Sequence, residues 1–196
     1  MGATIGTDAT RQTGDSLDKI RRDHVSRYQF AATRVPRGRT VLDLACGCGY
    51  GSKILHDAGA IVRGIDVCQE AIEYARQHYP GPGYEVSDAK DIADVEVDTL
   101  VSFETIEHLA EHGFLKKVRA RQLIASVPNE QFFPFDAALF KDDEYPHLRH
   151  YTQVEFEALL NDAGYSVTEW WSQINKFGEL YKGTEGRFMI AVAEAV

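Results

Sequence analysis

Positive charge is scarce in this chain. Its 196 residues carry 21 lysines and arginines against 30 aspartates and glutamates, a net charge of −9 with a pI near 5.2. A broad phosphate-binding surface needs clustered cations, so that balance disfavours a nucleic-acid partner; the densest basic group is Lys116, Lys117, Arg119 and Arg121. Only three cysteines are present. They cannot form a disulfide framework, and a reducing cytoplasm is the expected setting. Cys46 and Cys48 form a C-x-C without a second pair at zinc spacing, which argues against a structural zinc. No apolar run is long enough to span a bilayer, and the first residues lack the core of a signal peptide, so no membrane partner is expected.

What is present is a strand that runs into a glycine loop. Val41–Leu44, apolar except for Asp43, leads into glycines at alternate positions, Gly47, Gly49 and Gly51, and Gly51–Ala58 then reads as a helix. Glycine lets the backbone turn sharply and approach a ligand closely, because no Cβ intervenes.

The rest of the chain alternates strands and helices with short turns, the pattern of a mostly parallel sheet. Residues 1–14 read as a disordered lead, and residues 15–196 as one domain. A first helix is expected from Asp15 or Ser16 to about Thr33. Strands follow at Ile61–Val67, Gly83–Val86, Thr99–Phe103 and Gln122–Val127, with helices at Gln69–His78, about His108–Arg119 and Thr152–Ala163. Ser166–Gln173 and Arg187–Ala193 complete seven strands as an antiparallel hairpin. This predicts a doubly wound α/β fold, Rossmann-like, with ligands at the carboxyl ends of the strands. A dinucleotide oxidoreductase would need a further substrate domain, for which the chain has no room.

The residues just after each strand suit that site. Asp66 closes the second strand, 23 residues beyond Asp43, where a carboxylate can accept from both hydroxyls of a ribose. Asp88 follows the third strand. Glu104-Thr-Ile-Glu-His108 follows the fourth. On a helical turn Glu104, Glu107 and His108 would share a face, and two carboxylates with an imidazole suit a divalent ion such as Mg²⁺ or Mn²⁺. The stretch at about 129–150 is long and aromatic, with Phe132, Phe133, Phe135, Phe140 and Tyr145, and reads as a lid over an acceptor or as rings closing the core.

An acid followed by G-x-G-x-G resembles the first motif of class I S-adenosylmethionine (SAM)-dependent methyltransferases. That resemblance implies a SAM site built from Asp43, Ala45, Gly47, Gly49, Asp66, Val67, Asp88, Ala89 and Phe103, with Asp88 and the Ala89 N–H at the adenine. It also implies a first-helix residue near the methionine end, Tyr28 first and Arg27 second. The E-x-x-E-H pattern resembles metal-dependent small-RNA 3′-terminal 2′-O-methyltransferases, and related patterns occur in ubiquinone-biosynthesis O-methyltransferases. His147-Leu-Arg-His-Tyr-Thr152 matches the former's later histidine segment, which makes His147 a fourth metal ligand beside Glu104, Glu107 and His108, with His150 as its substitute. Without a metal, His108 or His147 takes the proton and Glu104 contacts substrate or cofactor. The resulting expectation is O-methylation of a small acceptor such as a sugar or polyol. The alternatives are a metal-dependent RNA 2′-O-methyltransferase and a non-catalytic SAM-binding module.

Overall fold

The computed structural model describes residues 12–141, 145–175 and 177–196. Its centre is an eight-stranded sheet in the order β3-β2-β1-β4-β5-β8-β6-β7. The strands are β1 (Thr40–Leu44), β2 (Ile61–Asp66), β3 (Gly83–Val86), β4 (Val95–Phe103), β5 (Val118–Pro128), β6 (Tyr165–Gln173), β7 (Tyr181–Lys182) and β8 (Phe188–Ala195). The first five are parallel, while β8 runs antiparallel to both β5 and β6. This is the Rossmann-like methyltransferase fold expected from the sequence. The two-residue β7, paired to Trp171 and Ser172, adds an eighth strand to the seven expected.

Strand alternation divides the core between two faces. On β1, Leu42 and Leu44 enter one apolar cluster and Val41 the other; on β5, Leu123, Ala125 and Val127 face one way and Ile124 the opposite way. The helices are α1 (Arg22–Ala32), α2 (Tyr50–Asp57), α3 (Gln69–His78), α4 (Phe114–Lys117) and α5 (Gln153–Asp162). Phe114 and Leu115 of α4 and Phe156 and Leu160 of α5 cover the first cluster; Tyr28 and Ala31 of α1 and Leu55 of α2 cover the second. Each large side chain buried in this way contributes about 1.5–3 kcal/mol. A capping box starts α5, with Thr152 accepting from the Glu155 N–H and the Glu155 carboxylate accepting from the Thr152 N–H.

Two expectations need correction. The first helix does not run from residue 15: a single turn at Leu17–Lys19 is followed by extended backbone at Ile20 and Arg21, and α1 begins at Arg22. Ile20 is buried in the second cluster, so the break is fixed by packing. The helix expected over 108–119 is only α4, because β5 already starts at Val118. Of residues 1–14, expected to be disordered, 1–11 lie outside the described residues, whereas the buried Gly14 accepts a hydrogen bond from the Tyr79 hydroxyl. Trp170 and Trp171 point to opposite faces, as a strand requires: Trp170 packs near Phe156, and Trp171 near Phe30.

Candidate active site

A cleft with about 1070 Å³ between its walls, open to solvent, lies along the carboxyl ends of β1, β2, β3 and β4. Its walls include Tyr28, Ala45, Gly47, Asp66, Val67, Asp88, Ala89, Phe103, Glu104 and His108, ten of the residues singled out from the sequence. The basic group at 116–121 lies instead on the end of α4 and the amino-terminal end of β5, away from this edge.

The loop after β1 is held in an uncommon conformation. Ala45 (φ 57°), Gly47 (φ 54°) and Gly49 (φ 85°) are all left-handed. Asp66 fixes the loop, because its two carboxylate oxygens accept from the Gly47 N–H at 2.8 Å and the Cys68 N–H at 2.9 Å. The three glycines have separate duties. A Cβ on Gly47 would meet nothing within 4 Å, so this residue keeps cavity wall open. Gly49 does not line the cleft: a Cβ there would lie 2.5 Å from the Ala75 Cβ and 2.8 Å from the Tyr84 hydroxyl, so it seats α2 against α3. A Cβ on Gly51 would enter the Tyr28 ring.

Asp43 also stands outside the cleft. It is fully buried and accepts from the Tyr28 hydroxyl at 3.0 Å and the Ser52 hydroxyl at 2.6 Å. Burial drives its pKa up to about 7 against the pull of those two bonds. It therefore braces the wall from behind, because β1 alternation turns it toward α1 and α2. Tyr28 packs edge-on against Tyr50 and Phe103, with centroids 5.6 and 5.0 Å away. Asp88 accepts from the Lys90 N–H at 3.0 Å and pairs with its ammonium at 3.0 Å. Partial burial works to raise the Asp88 pKa, but the Lys90 contacts outweigh it and hold the pKa below its ordinary value.

Glu104 is the second non-glycine residue with a left-handed backbone among those described, at φ 50°. Both such residues, Ala45 and Glu104, line the cleft; strain of about 1–3 kcal/mol each persists only where surroundings enforce it. This conformation places Glu104 before the turn Ile106–His108, not on it, so the shared helical face expected for Glu104, Glu107 and His108 does not form. Glu104 accepts from the Ser126 hydroxyl at 2.7 Å and lies 3.7 Å from the Arg27 guanidinium. Burial raises its pKa, opposed by Arg27 and Ser126.

The group that does converge is Glu107, His108 and His147, whose ligand-type atoms lie within 4.8 Å of one another. The four-residue set expected from sequence thus loses Glu104. Glu107 is fully buried, and neither carboxylate oxygen has a hydrogen-bond partner among the described residues. Burial, then the Glu104 charge, raises its pKa well above the ordinary range. The His147 ring stands edge-on to His108 at 4.5 Å and stacks on Phe140 at 4.1 Å. Phe133 and Phe135 pack on His150, at 4.8 and 5.4 Å. These three lid rings therefore wall the histidines, while Tyr145 faces the cleft.

Arg27, ranked second to Tyr28 from sequence, is 1% exposed and lines the cleft. Its Nη1 donates to the Gln173 side chain at 2.9 Å, and its Nε and Nη2 lack hydrogen-bond partners among the described residues, although Asp23 lies 3.9 Å from Nη2. An Asp-x-x-x-Arg pair on a helix stripe that also carries Tyr28 was the available signal. Ser126 and Gln173 carried none, because they reach the site from distant strands.

Fold and strand-end cleft together define a Rossmann-like methyltransferase architecture. Residues 42–123 match the family described as a methyltransferase domain. Over 156 residues the chain is 29% identical to a probable S-adenosylmethionine-dependent methyltransferase of Mycolicibacterium smegmatis, covering 76% of this chain and 60% of that protein. Over 103 residues it is 34% identical to a ubiquinone biosynthesis O-methyltransferase of Thiobacillus denitrificans, covering 48% and 44%. The chain thus spans less than two thirds of the length of these relatives. Magnesium protoporphyrin IX methyltransferase from Synechocystis, solved with bound SAH, superimposes with a TM-score of 0.65 at 18% identity, covering 92% of this chain and 88% of that one. These likenesses are to S-adenosylmethionine-dependent methyltransferases, and the solved structure shares the fold. No helix among the described residues is long and apolar enough to cross a membrane.

Proposed function

We propose that this chain transfers the methyl group of SAM to a hydroxyl of a small acceptor such as a sugar or polyol. The observation that carries this reading is the cleft itself, where a glycine loop, two strand-end carboxylates and a buried guanidinium with two nitrogens free of hydrogen bonds among the described residues adjoin a carboxylate–imidazole cluster. The residues fit the cofactor. Gly47 leaves room for it, Asp66 retains lone pairs for ribose hydroxyls, and Asp88 with the Ala89 N–H suits the adenine edge. The two nitrogens of Arg27 without a hydrogen bond among the described residues suit the methionine carboxylate. When bound, SAM supplies an electrophilic methyl group on a sulfonium, which leaves as a neutral thioether.

The protein's work is alignment and proton removal. Tyr28, Phe103 and the braced loop hold the reactants close and exclude water. Burial with the neighbouring His108 and His150 pushes the His147 pKa down to about 3, so its ring is neutral at pH 7 and offers a lone pair that accepts a hydrogen bond from the acceptor hydroxyl and orients it. Screening acceptors with methyl-labelled SAM tests the reading. Transfer to a small hydroxyl compound supports it, and SAM binding without transfer to any acceptor class favours a non-catalytic module.

A second reading is motivated by Glu107, whose buried, unpartnered carboxylate would be neutralised by a cation. Glu107, His108 and His147 would hold Mg²⁺ or Mn²⁺, which would lower the pKa of an acceptor hydroxyl, including a ribose 2′-hydroxyl of RNA. None of the relatives named above speaks for that metal. Full activity in excess chelator rejects this reading and leaves methyl transfer intact.

A further inference from the structure

Arg27 does not hydrogen-bond the partner its helix offers. Asp23 stands four residues before it on α1, on the same face, but the Asp23 carboxylate is already taken by Arg21. Nε and Nη2 of Arg21 donate to its two oxygens at 3.1 and 2.6 Å. Asp23 stays 3.9 Å from Nη2 of Arg27. Among the described residues, the Arg27 guanidinium makes its hydrogen bond instead from Nη1 to Oε1 of Gln173, at 2.9 Å.

Gln173 ends β6 and is fully buried. Its amide fits in one orientation only. A guanidinium has hydrogens to give and no lone pair to accept with, so the atom facing Nη1 is the oxygen. The amide nitrogen lies 3.0 Å from the Asp23 carbonyl oxygen, which only accepts, and 2.9 Å from the Ser26 hydroxyl. Thus α1 holds the amide nitrogen, and the amide oxygen holds Arg27. The Phe188 ring packs on the guanidinium, its centroid 5.1 Å from Cζ. What this arrangement leaves is the edge formed by Nε and Nη2. The hydrogens of that edge are parallel and match the two oxygens of a carboxylate.

We propose that Gln173 is a positioning residue for cofactor binding, which engages Nη1 of Arg27 from behind the cleft wall and keeps the Nε–Nη2 edge for the methionine carboxylate of SAM. Gln173 does not itself line the cleft, so it acts through Arg27. The inference deepens the methyl-transfer reading and rests on its assignment of Arg27 to that carboxylate.

Calorimetry on the full chain tests this by comparing S-adenosylhomocysteine with 5′-methylthioadenosine, which keeps the nucleoside and the sulfur but lacks the amino-acid group. The ratio of the two affinities reads the amino-acid end alone, because partial unfolding weakens both ligands alike. Gln173→Met is close in size and offers Nη1 no amide oxygen. It should cut the preference for S-adenosylhomocysteine about tenfold, the size of one hydrogen bond to a charged group. An unchanged ratio, whether both affinities hold or both fall, makes Gln173 a structural residue only and overturns the proposal. A crystal of the wild-type chain with S-adenosylhomocysteine gives a second test that needs no variant. The carboxylate should lie on Nε and Nη2 of Arg27, with Nη1 still on Gln173. A carboxylate on Nη1 in place of Gln173 overturns the inference and leaves the reading standing. A wild-type chain that does not prefer S-adenosylhomocysteine, or an Arg27→Met variant that keeps the preference, refutes the assignment of Arg27 itself, and the inference falls with it.

Discussion

Alanine at Gly51 and alanine at Gly47 should damage this protein in different ways. At Gly51 the new Cβ would overlap the ring of Tyr28, far inside the 3.0 Å that real Cβ contacts respect. That ring cannot easily yield, because Tyr50 and Phe103 pack on it edgewise and its hydroxyl is bonded to buried Asp43. Overpacking costs about 1–3 kcal/mol. If the ring is displaced, Asp43 loses a donor, adding about 1–3 kcal/mol. The sum, roughly 2–6 kcal/mol, is a large share of the about 5–15 kcal/mol that stabilises a typical domain. At Gly47 the Cβ meets no atom within 4 Å, and only the left-handed backbone (φ 54°) resists, at about 1–2 kcal/mol. The added methyl instead stands in the space assigned to the cofactor. Urea unfolding should therefore show Gly51→Ala losing at least about 2 kcal/mol. Calorimetry should show a folded Gly47→Ala protein binding S-adenosylhomocysteine at least about tenfold more weakly, or about 1.4 kcal/mol. A Gly51→Ala protein as stable as the wild type, or an unchanged affinity in Gly47→Ala, would refute the reasoning.

Three further outcomes are expected. Glu107 has a pKa raised above its unfolded value, so between the two the native state keeps a proton that the unfolded state has released, and stability falls as pH rises, by about 1.4 kcal/mol per unit. Glu107→Gln should thus match the wild type at pH 4 and melt higher than it at pH 7; equal melting shifts at both would contradict this. His147 is shifted the opposite way, to about 3, so its stabilising contribution is complete above pH 6.5 and lost as pH falls toward 3. Thermal scans of His147→Asn should show a shallower acid limb across that interval, and an unaltered limb would speak against a buried neutral ring. Ser126→Ala removes the hydroxyl that donates to Glu104 and should cost about 1–3 kcal/mol in denaturant unfolding; a cost within error of zero would mean Glu104 does not depend on that bond.

Local periodicity carried much of the fold. The bounds of α3 and β3 and the antiparallel β6–β8 pair were legible because each element states its pattern within ten residues. The helix expected over about 108–119 was drawn too long because Lys116 and Lys117 do form the last turn of α4 and Arg119 looks like its continuation. In the structure Arg119 and Arg121 alternate with buried Val118 and Ala120 along β5, so the period is that of a strand. The strand-end positions Asp66, Asp88 and Glu104 were readable from sequence because fold topology brings such positions to one edge. The duties of Asp43 and Gly49 were not, since facing inward or outward is decided by helices packed later in the chain. Contacts that join β4 to β5 or α1 to β6, such as Ser126 to Glu104 and Arg27 to Gln173, bridge 22 and 146 residues and leave no trace in a local motif. Nor does sequence reveal that Glu104 adopts a left-handed backbone, which is what separates it from Glu107 and His108.

The most direct measurement is a crystal structure of the chain with S-adenosylhomocysteine. The ribose should sit against Asp66, the adenine beside Asp88 and Ala89, and the amino-acid carboxylate on Arg27, with the sulfur directed toward the side of the cleft where Glu104 and His108 lie. A nucleoside bound elsewhere, or in this cleft with its ribose remote from Asp66, would contradict the account.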